Sequence, residues 1–345
     1  MTALPDLIST ETQLDELLSE PSAAVIETFR KISGDILLLG VAGKMGLTLA
    51  LMAKRASDIA GTPRRIIGIS RFSSAGAVKW LNERGIETIS GDLLEGSFLS
   101  SLPDAPNIIY LTGMKFGSTG QEAQTWAVNT WLPAQIAQRF RSSRIVALST
   151  GNIYGLVPVK SSGSVETDVP NPVGEYAMSC LGRERMFEHF SRTYGTQTAL
   201  IRLNYACELR YGVLTDIAHK VWAGEPVYIS MGWFNTIWQA DANAVTLAAL
   251  ADVQSPPAAI NITGADKLRI RDVAEEFGRL MNKPVNLIGT EQSTALLNDA
   301  SMALNRYGTE RVDIPRLMKW ITLWVQQGSP TLNKPTHFES RDGKF

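Results

Sequence analysis

The sequence predicts an α/β fold: a doubly wound parallel sheet carrying a smaller C-terminal lobe. Three observations predict it. Between residues 35 and 205, short apolar runs alternate with stretches of helical periodicity, the pattern of strands joined by crossover helices. The runs are apolar at successive positions, as in Ile36–Leu39, which suits strands covered on both faces. A glycine-rich turn at residues 40–46 joins the first run to the first long helical stretch.

In chain order, Thr10 and Gln13 have capping-box spacing, and Leu14, Leu17 and Leu18 recur at helical spacing. They predict a short helix in an N-terminal arm over residues 1–34. Strands are predicted at 36–39, 66–69, 86–89, 108–111, 144–148 and 198–203, with helices over 45–59, 121–140 and 175–194. Right-handed crossovers then bring the strand C-termini to one edge, where ligands bind in such sheets. Beyond Asn204 the regularity loosens, with helices expected over 217–222, 242–250, 270–281 and 314–325. The last residues are polar and turn-rich and read as an extended, solvated tail in which Lys334 and His337 are the candidate lid residues. The expected division is a sheet domain over 35–205, to which 236–262 return, and a lobe built from 206–235 and 263–345.

Composition narrows the class. The chain has 345 residues, 44% hydrophobic and 19% charged, as in an ordinary globular protein. Lys+Arg 33 against Asp+Glu 34 leaves a net charge of −1, so neither nucleic acid nor an anionic membrane is an expected partner. Cys180 and Cys207 are the only cysteines, and His189, His219 and His337 lie far apart. No disulfide framework and no metal site is expected. The N-terminal segment is acidic and no uncharged run is long enough to span a bilayer, so a cytoplasmic protein is expected.

The glycine turn is the most informative segment. Gly40 permits a tight reversal, Gly43 lets the backbone approach a pyrophosphate, and Gly46 lets helix and strand pack closely. The first helical N–H groups, around Lys44 and Met45, then face an anion. In this strand–turn–helix context the glycines predict a dinucleotide site and a Rossmann-type domain. The second strand runs into Ser70 and Arg71, where NAD-type sites place an acid against the ribose 2′-hydroxyl. A guanidinium here accepts a 2′-phosphate, and Lys44 adds charge, so NADP is expected over NAD. Arg71 stacked on adenine, serving either cofactor, is the alternative.

The spacing G-x-x-G-x-x-G resembles that of the short-chain dehydrogenase/reductase superfamily, specifically its extended branch of nucleotide-sugar epimerases and dehydratases. Other segments follow in register over residues 35–325. Asp92 and Leu93 resemble the pair that contacts adenine, Thr112 and Gly113 the small residues beneath the cofactor, and Asn129 the family's helix asparagine. Asn204 resembles an asparagine that reaches the substrate. The resemblance puts Thr150 at the position of the hydroxyl that holds the substrate oxygen and Tyr176 at the acid/base, with Ser179 and Glu184 at their accompanying positions. A lysine four residues after the tyrosine completes the family's site by lowering the phenol pKa. Cys180 stands there instead, and a thiol supplies no permanent charge. Lys115 resembles a lysine similarly placed beside the cofactor in UDP-galactose 4-epimerase and is the expected replacement. A substrate needing less help, or a site that binds without turnover, are the alternatives.

The substrate end departs as well. Asp241 matches a family aspartate, but Phe234 occupies the position of an arginine that clamps a diphosphate. Asn235, Trp238 and Gln239 predict a site for an uncharged or lightly charged polyol with an aromatic wall. Asn152, Glu208, Arg210 and Tyr211 are expected along the same cleft. The reading is a NAD(P)-dependent oxidoreductase, epimerase or dehydratase acting on a sugar-like alcohol or carbonyl through Tyr176 and Thr150. A catalytically degraded dinucleotide-binding regulatory or scaffold protein is the alternative. Family members often dimerise through the helices that hold Asn129 and Tyr176, so a homodimer is expected.

Overall fold

Each predicted apolar run forms a strand of one sheet in the computed structural model, which describes residues 4–115, 117–308 and 310–344. The strands are β1 (Ile36–Leu39), β2 (Ile66–Ser70), β3 (Glu87–Ser90), β4 (Asn107–Tyr110), β5 (Arg144–Thr150), β6 (Thr198–Leu203) and an unpredicted β7 (Ala258–Ile262). All pair in parallel, in the order β7-β6-β5-β4-β1-β2-β3. The chain leaves β1 on one side for β2 and β3, then returns on the other for β4 and beyond. The crevice between β1 and β4 is therefore the switch point at which open α/β sheets bind ligands.

Strand β1 shows how the sequence specifies this. Ile36 and Leu38 enter the core on one face, Leu37 and Leu39 on the other, and all four are fully buried. Strand β3 lies at an edge and is only partly buried. Its apolar signal is correspondingly weak, and it starts one residue later than expected.

The first face is covered by α1 (Glu11–Leu18), α2 (Ala23–Lys31), α3 (Gly46–Ala60) and α4 (Ala75–Asn82). In α1, Thr10 caps the Gln13 N–H at 3.2 Å, while the Gln13 side chain accepts from Ser9, one residue before the expected partner. The other face is covered by α5 (Gly96–Ser101) and by the predicted 121–140 helix, which is interrupted. It comprises α6 (Glu122–Trp126), a π-helical turn (Ala127–Trp131) and α7 (Leu132–Arg139). Pro133 has no N–H for the carbonyl one turn back, and its ring crowds that carbonyl. The wider turn relieves both problems and leaves Asn129 fully buried. Helix α8 (Gly174–Tyr194) packs alongside.

Beyond β6, α9 (Val213–Ala223) packs with two later helices, while α10 (Gln239–Ala248) lies on α2 and α3. The later pair are α11 (Ile270–Met281) and, after α12 (Ser301–Tyr307), α13 (Ile314–Gln326). The C-terminal tail differs from its expectation. Phe338 is 1% exposed, Thr336 donates twice to Asp216 at 2.7 Å, and Arg341 donates to Thr294 at 2.6 and 2.7 Å. One buried ring and two polar anchors, Thr336 and Arg341, turn a polar segment into a strap. Among the described residues, no helix is long and apolar enough to cross a membrane.

Candidate active site

The glycine turn opens onto a cleft of about 1020 Å³ at the C-terminal edge of the sheet. Gly40 has φ +92°, and a Cβ there would meet the Thr112 hydroxyl at 2.7 Å. A Cβ on Gly46 would lie 2.1 Å from the Val41 carbonyl, so only glycine lets α3 start this close to the strand. Gly43 has a clearance of 3.3 Å to the Gly40 carbonyl and faces the cleft. No side chain caps α3, which leaves its first N–H groups for an anion. Ser70, Arg71, Asp92, Leu93, Thr112 and Gly113 line the same cleft. Arg71 is mostly exposed, with its guanidinium 3.8 Å from the Asp92 carboxylate. Glycine cradle, open donors and the volume of the cleft all fit a dinucleotide.

Asn129 does not reach this cleft. Its amide brackets Met114, accepting from the N–H at 2.8 Å and donating to the carbonyl at 2.9 Å, and it also donates to Ser179 at 3.0 Å. It holds the loop that forms the cleft floor.

The reacting end is assembled by β5 and α8. Thr150, at the end of β5, accepts from the Asn152 N–H at 3.2 Å and shares a hydrogen bond with the Tyr176 phenol. Ser149 donates to Glu184 at 2.6 Å, and Glu184 forms a buried ion pair with Arg202 at 2.8 Å. Burial pushes the Tyr176 phenol well up; Cys180 adds to this, and the Arg183 guanidinium pulls it back down. Cys180 is fully buried against Tyr176, and burial raises its thiol too. No charge comes from the lysine position.

Arg183 is the residue that sequence reading missed. Its guanidinium is buried and donates to the Leu148 carbonyl at 2.7 Å and to Asn129 at 2.8 Å. A Cβ on Gly113 would lie 2.8 Å from it. Among the described residues, no carboxylate comes within ion-pair distance of it. The signal was available: Arg183 follows Cys180 by three residues and Tyr176 by seven, which keeps it on the same side of α8.

A smaller pocket of about 160 Å³ adjoins the cleft, with Lys115 lining both. Met45, Thr150, Asn152, Tyr176, Asn204, Tyr205, Tyr211 and Gln239 line it. Lys44 is here too, away from the Arg71 end where it was expected, with its ammonium 3.5 Å from the Tyr211 ring centre. The Lys115 ammonium donates to the Thr336 carbonyl at 3.4 Å and lies 5.9 Å from the ring centres of Tyr176 and Tyr205. Burial lowers Lys115 to about 8. Lys44 falls to about 6, through burial first and then through Lys115 and Lys334.

Four expected substrate residues lie elsewhere. Trp238 is 3% exposed and packs edge-on against Trp320 at 5.8 Å, so it forms core and not a sugar wall. Asn235 is buried between Asn204, at 3.0 Å, and the Asn298 carbonyl, at 2.5 Å. Glu208 and Arg210 pair at 3.2 Å, and Arg210 continues to Asp15 at 2.9 Å, tying α1 to the body. A buried carboxylate needs such a partner, and here that need fixes the arm. Lys334 and His337, by contrast, line the large cleft from the strap. Among the described residues, no cluster of His, Cys, Asp and Glu could hold a metal ion.

The family pattern described as "NAD dependent epimerase/dehydratase family" matches residues 36–227, more than half of the chain. The chain belongs to this family. Solved structures of similar fold include the UDP-glucose 4-epimerase of Thermotoga maritima, at 17% identity and TM-score 0.70, over 85% of this chain and 99% of that one. The UDP-glucuronic acid 4-epimerase of Bacillus cereus, solved with UDP-glucuronic acid and NAD, gives the same four figures. The dTDP-glucose 4,6-dehydratase of Bacillus anthracis, solved with NAD, aligns at 14% identity and TM-score 0.72, over 86% and 97%. No curated protein matches the chain in sequence. In this epimerase/dehydratase family member, the match ends before Phe234 and the strap, and of the residues lining the small pocket only Gln239 lies beyond it.

Proposed function

We propose that the chain is a NAD(P)-dependent oxidoreductase, epimerase or dehydratase acting on a sugar-like alcohol or carbonyl, with Tyr176 as its proton carrier. The hydrogen bond between Thr150 and Tyr176, in a pocket contiguous with the glycine-turn cleft, carries the reading. A nicotinamide cofactor, when bound, supplies the hydride donor or acceptor. The glycine turn would hold its pyrophosphate, Ser70, Arg71, Asp92 and Leu93 its adenosine half, and Thr112 and Gly113 its middle. Thr150 and Tyr176 hold the substrate oxygen from two sides. Tyr176, kept protonated by burial, gives its proton to that oxygen as charge develops; in the reverse sense its phenolate takes one from an alcohol. Arg183 and Lys115 favour the phenolate that results. The strap excludes water.

Arg71 supports NADP, because its guanidinium is exposed at the cleft and is held only by a long contact to Asp92. Exposed Trp126, Trp131 and Met178, on α6, the π turn and α8, support a homodimer through that face. Cys180 favours a second reading, in which the protein binds a dinucleotide without turning over. Tyr176→Phe tests the first reading: turnover in a panel of sugars and sugar acids should fall about 10²–10⁴-fold with dinucleotide affinity retained. Full turnover in Tyr176→Phe ends it, and dinucleotide binding with no turnover in the wild type favours the second reading.

A further inference from the structure

We propose that the C-terminal strap is part of the dinucleotide site and that Lys334 carries its ammonium to the pyrophosphate; this rests on the reading of the glycine-turn cleft as that site. Asn333, Lys334, Pro335 and His337 line the cleft together with Gly40 and Gly43. One wall of the cavity therefore comes from the far end of the chain, beyond residues 36–227 that the family pattern covers.

The strap is held on both sides of Lys334. Ahead of it, the Leu332 N–H donates to the Arg210 carbonyl at 3.0 Å. Behind it, Thr336 is bonded to Asp216 on α9, and Phe338 is buried. The Lys115 ammonium, on the loop after β4, donates to the Thr336 carbonyl at 3.4 Å and ties the strap to the cleft floor. Asn333 and His337 have φ of +50° and +54°, so the chain turns sharply on either side of the segment over the cleft. Residues with side chains keep that conformation where surrounding contacts hold them in it. Lys334 takes no part in this anchoring and is exposed at the cleft.

Charge gives Lys334 its part. The uncapped start of α3 offers a pyrophosphate neutral N–H donors. Arg71 lies by Asp92, at the adenosine end. Lys334 is close enough to the glycine turn for its charge to act on Lys44, and an ammonium there makes a charge-assisted bond to a phosphoryl oxygen. Pyrophosphate and docked strap then stabilise each other, and the coupling is reciprocal. The pyrophosphate is common to NAD and NADP, so Lys334 serves both alike, unlike Arg71.

The experiment uses the full chain. NADH and NADPH are titrated by energy transfer from tryptophan in wild type, Lys334→Met, Lys334→Arg, Phe338→Ala and the variant combining Phe338→Ala with Lys334→Met. Lys334→Met should weaken both dinucleotides about tenfold, as for one lost bond to a charged group, with an unchanged melting temperature. Lys334→Arg should keep most of the affinity. Phe338→Ala, which should free the strap, should weaken both as well, and adding Lys334→Met to it should cost little more. Hydrogen exchange across residues 332–344 should slow when wild type binds a dinucleotide, and slow much less in Lys334→Met. Undiminished affinity in Lys334→Met, a loss confined to NADPH, or additive losses in the combined variant overturn the inference. So does strap exchange that is indifferent to the dinucleotide. A wild type that binds neither dinucleotide is a different result, and it brings down the underlying functional reading.

Discussion

At the residue scale, Cys180 stands where the family pattern has a lysine, and a different residue, Arg183, brings a cation to α8. The cation sits one helical turn further along α8, buried, and reaches Tyr176 through the field and not by contact. Cys180→Lys would then insert a second ammonium beside a buried guanidinium. It should lower stability by several kcal/mol and give no gain in turnover. Cys180→Lys combined with Arg183→Met should recover much of that loss in a double-mutant cycle read by chemical denaturation. Additive losses would place Arg183 outside the charge balance of the site. Arg71 carries a second prediction. Losing a guanidinium–phosphate bond costs about 1.5–3 kcal/mol, so Arg71→Ala should weaken NADP at least tenfold and leave NAD nearly unchanged by calorimetry. Equal losses for both would mean that Arg71 reads adenine. The shape of the glycine turn was legible because backbone clearance dictates it, and the nearness of Thr150 to Tyr176 because the resemblance puts both in register. Trp238 and Asn235 were misplaced because a polar or aromatic residue near a motif looks the same in sequence whether it faces a cleft or the core.

At the element scale, local rules located nearly every strand of the sheet, and tertiary contacts decided the rest. The 121–140 helix has unbroken apolar spacing, yet Pro133 forces a π turn, and that turn buries Asn129 beneath the cofactor loop. Strand β7 was missed because it begins directly after a Pro-Pro pair and Asn261 interrupts its apolar run. The strap was misread because a single aromatic ring, Phe338, supplies most of its burial, and the two Asp216 bonds come from a residue 120 positions away. Phe338→Ala should therefore release the strap more than it destabilises the fold. Its cost is at most the roughly 3–5 kcal/mol of a buried Phe, since a short segment can detach. Hydrogen exchange should quicken across residues 332–344 and stay unchanged in the sheet; uniform quickening would show that the strap is integral to the core.

At the scale of the whole molecule, two properties follow from surfaces and buried charge. Trp131 is 59% exposed, and with Trp126 and Met178 it forms an apolar face on α6, the π turn and α8. Trp131→Glu should shift sedimentation from dimer to monomer with an unchanged circular dichroism spectrum, and a wild type that already sediments as a monomer removes the dimer. Asp241 gives the pH dependence. Burial raises it to about 6, against the Arg311 N–H bond at 2.9 Å, which lowers it. A carboxyl raised in the folded state contributes stability at low pH that is lost as pH rises through the folded value. Wild type should lose stability relative to Asp241→Asn between pH 4 and 7, by about 1–3 kcal/mol for a shift of this order. A constant difference across that range would show that Asp241 is not held in its neutral form.

The central claim is that the glycine turn between β1 and α3 binds a dinucleotide, and titration of NADPH and NADH by energy transfer from tryptophan tests it most directly. Wild type should bind one equivalent. Gly43→Asp, which sets a carboxylate where the pyrophosphate belongs, should abolish binding while the melting temperature stays within a few degrees. Gly43→Asp binding either dinucleotide as tightly as wild type would contradict the account.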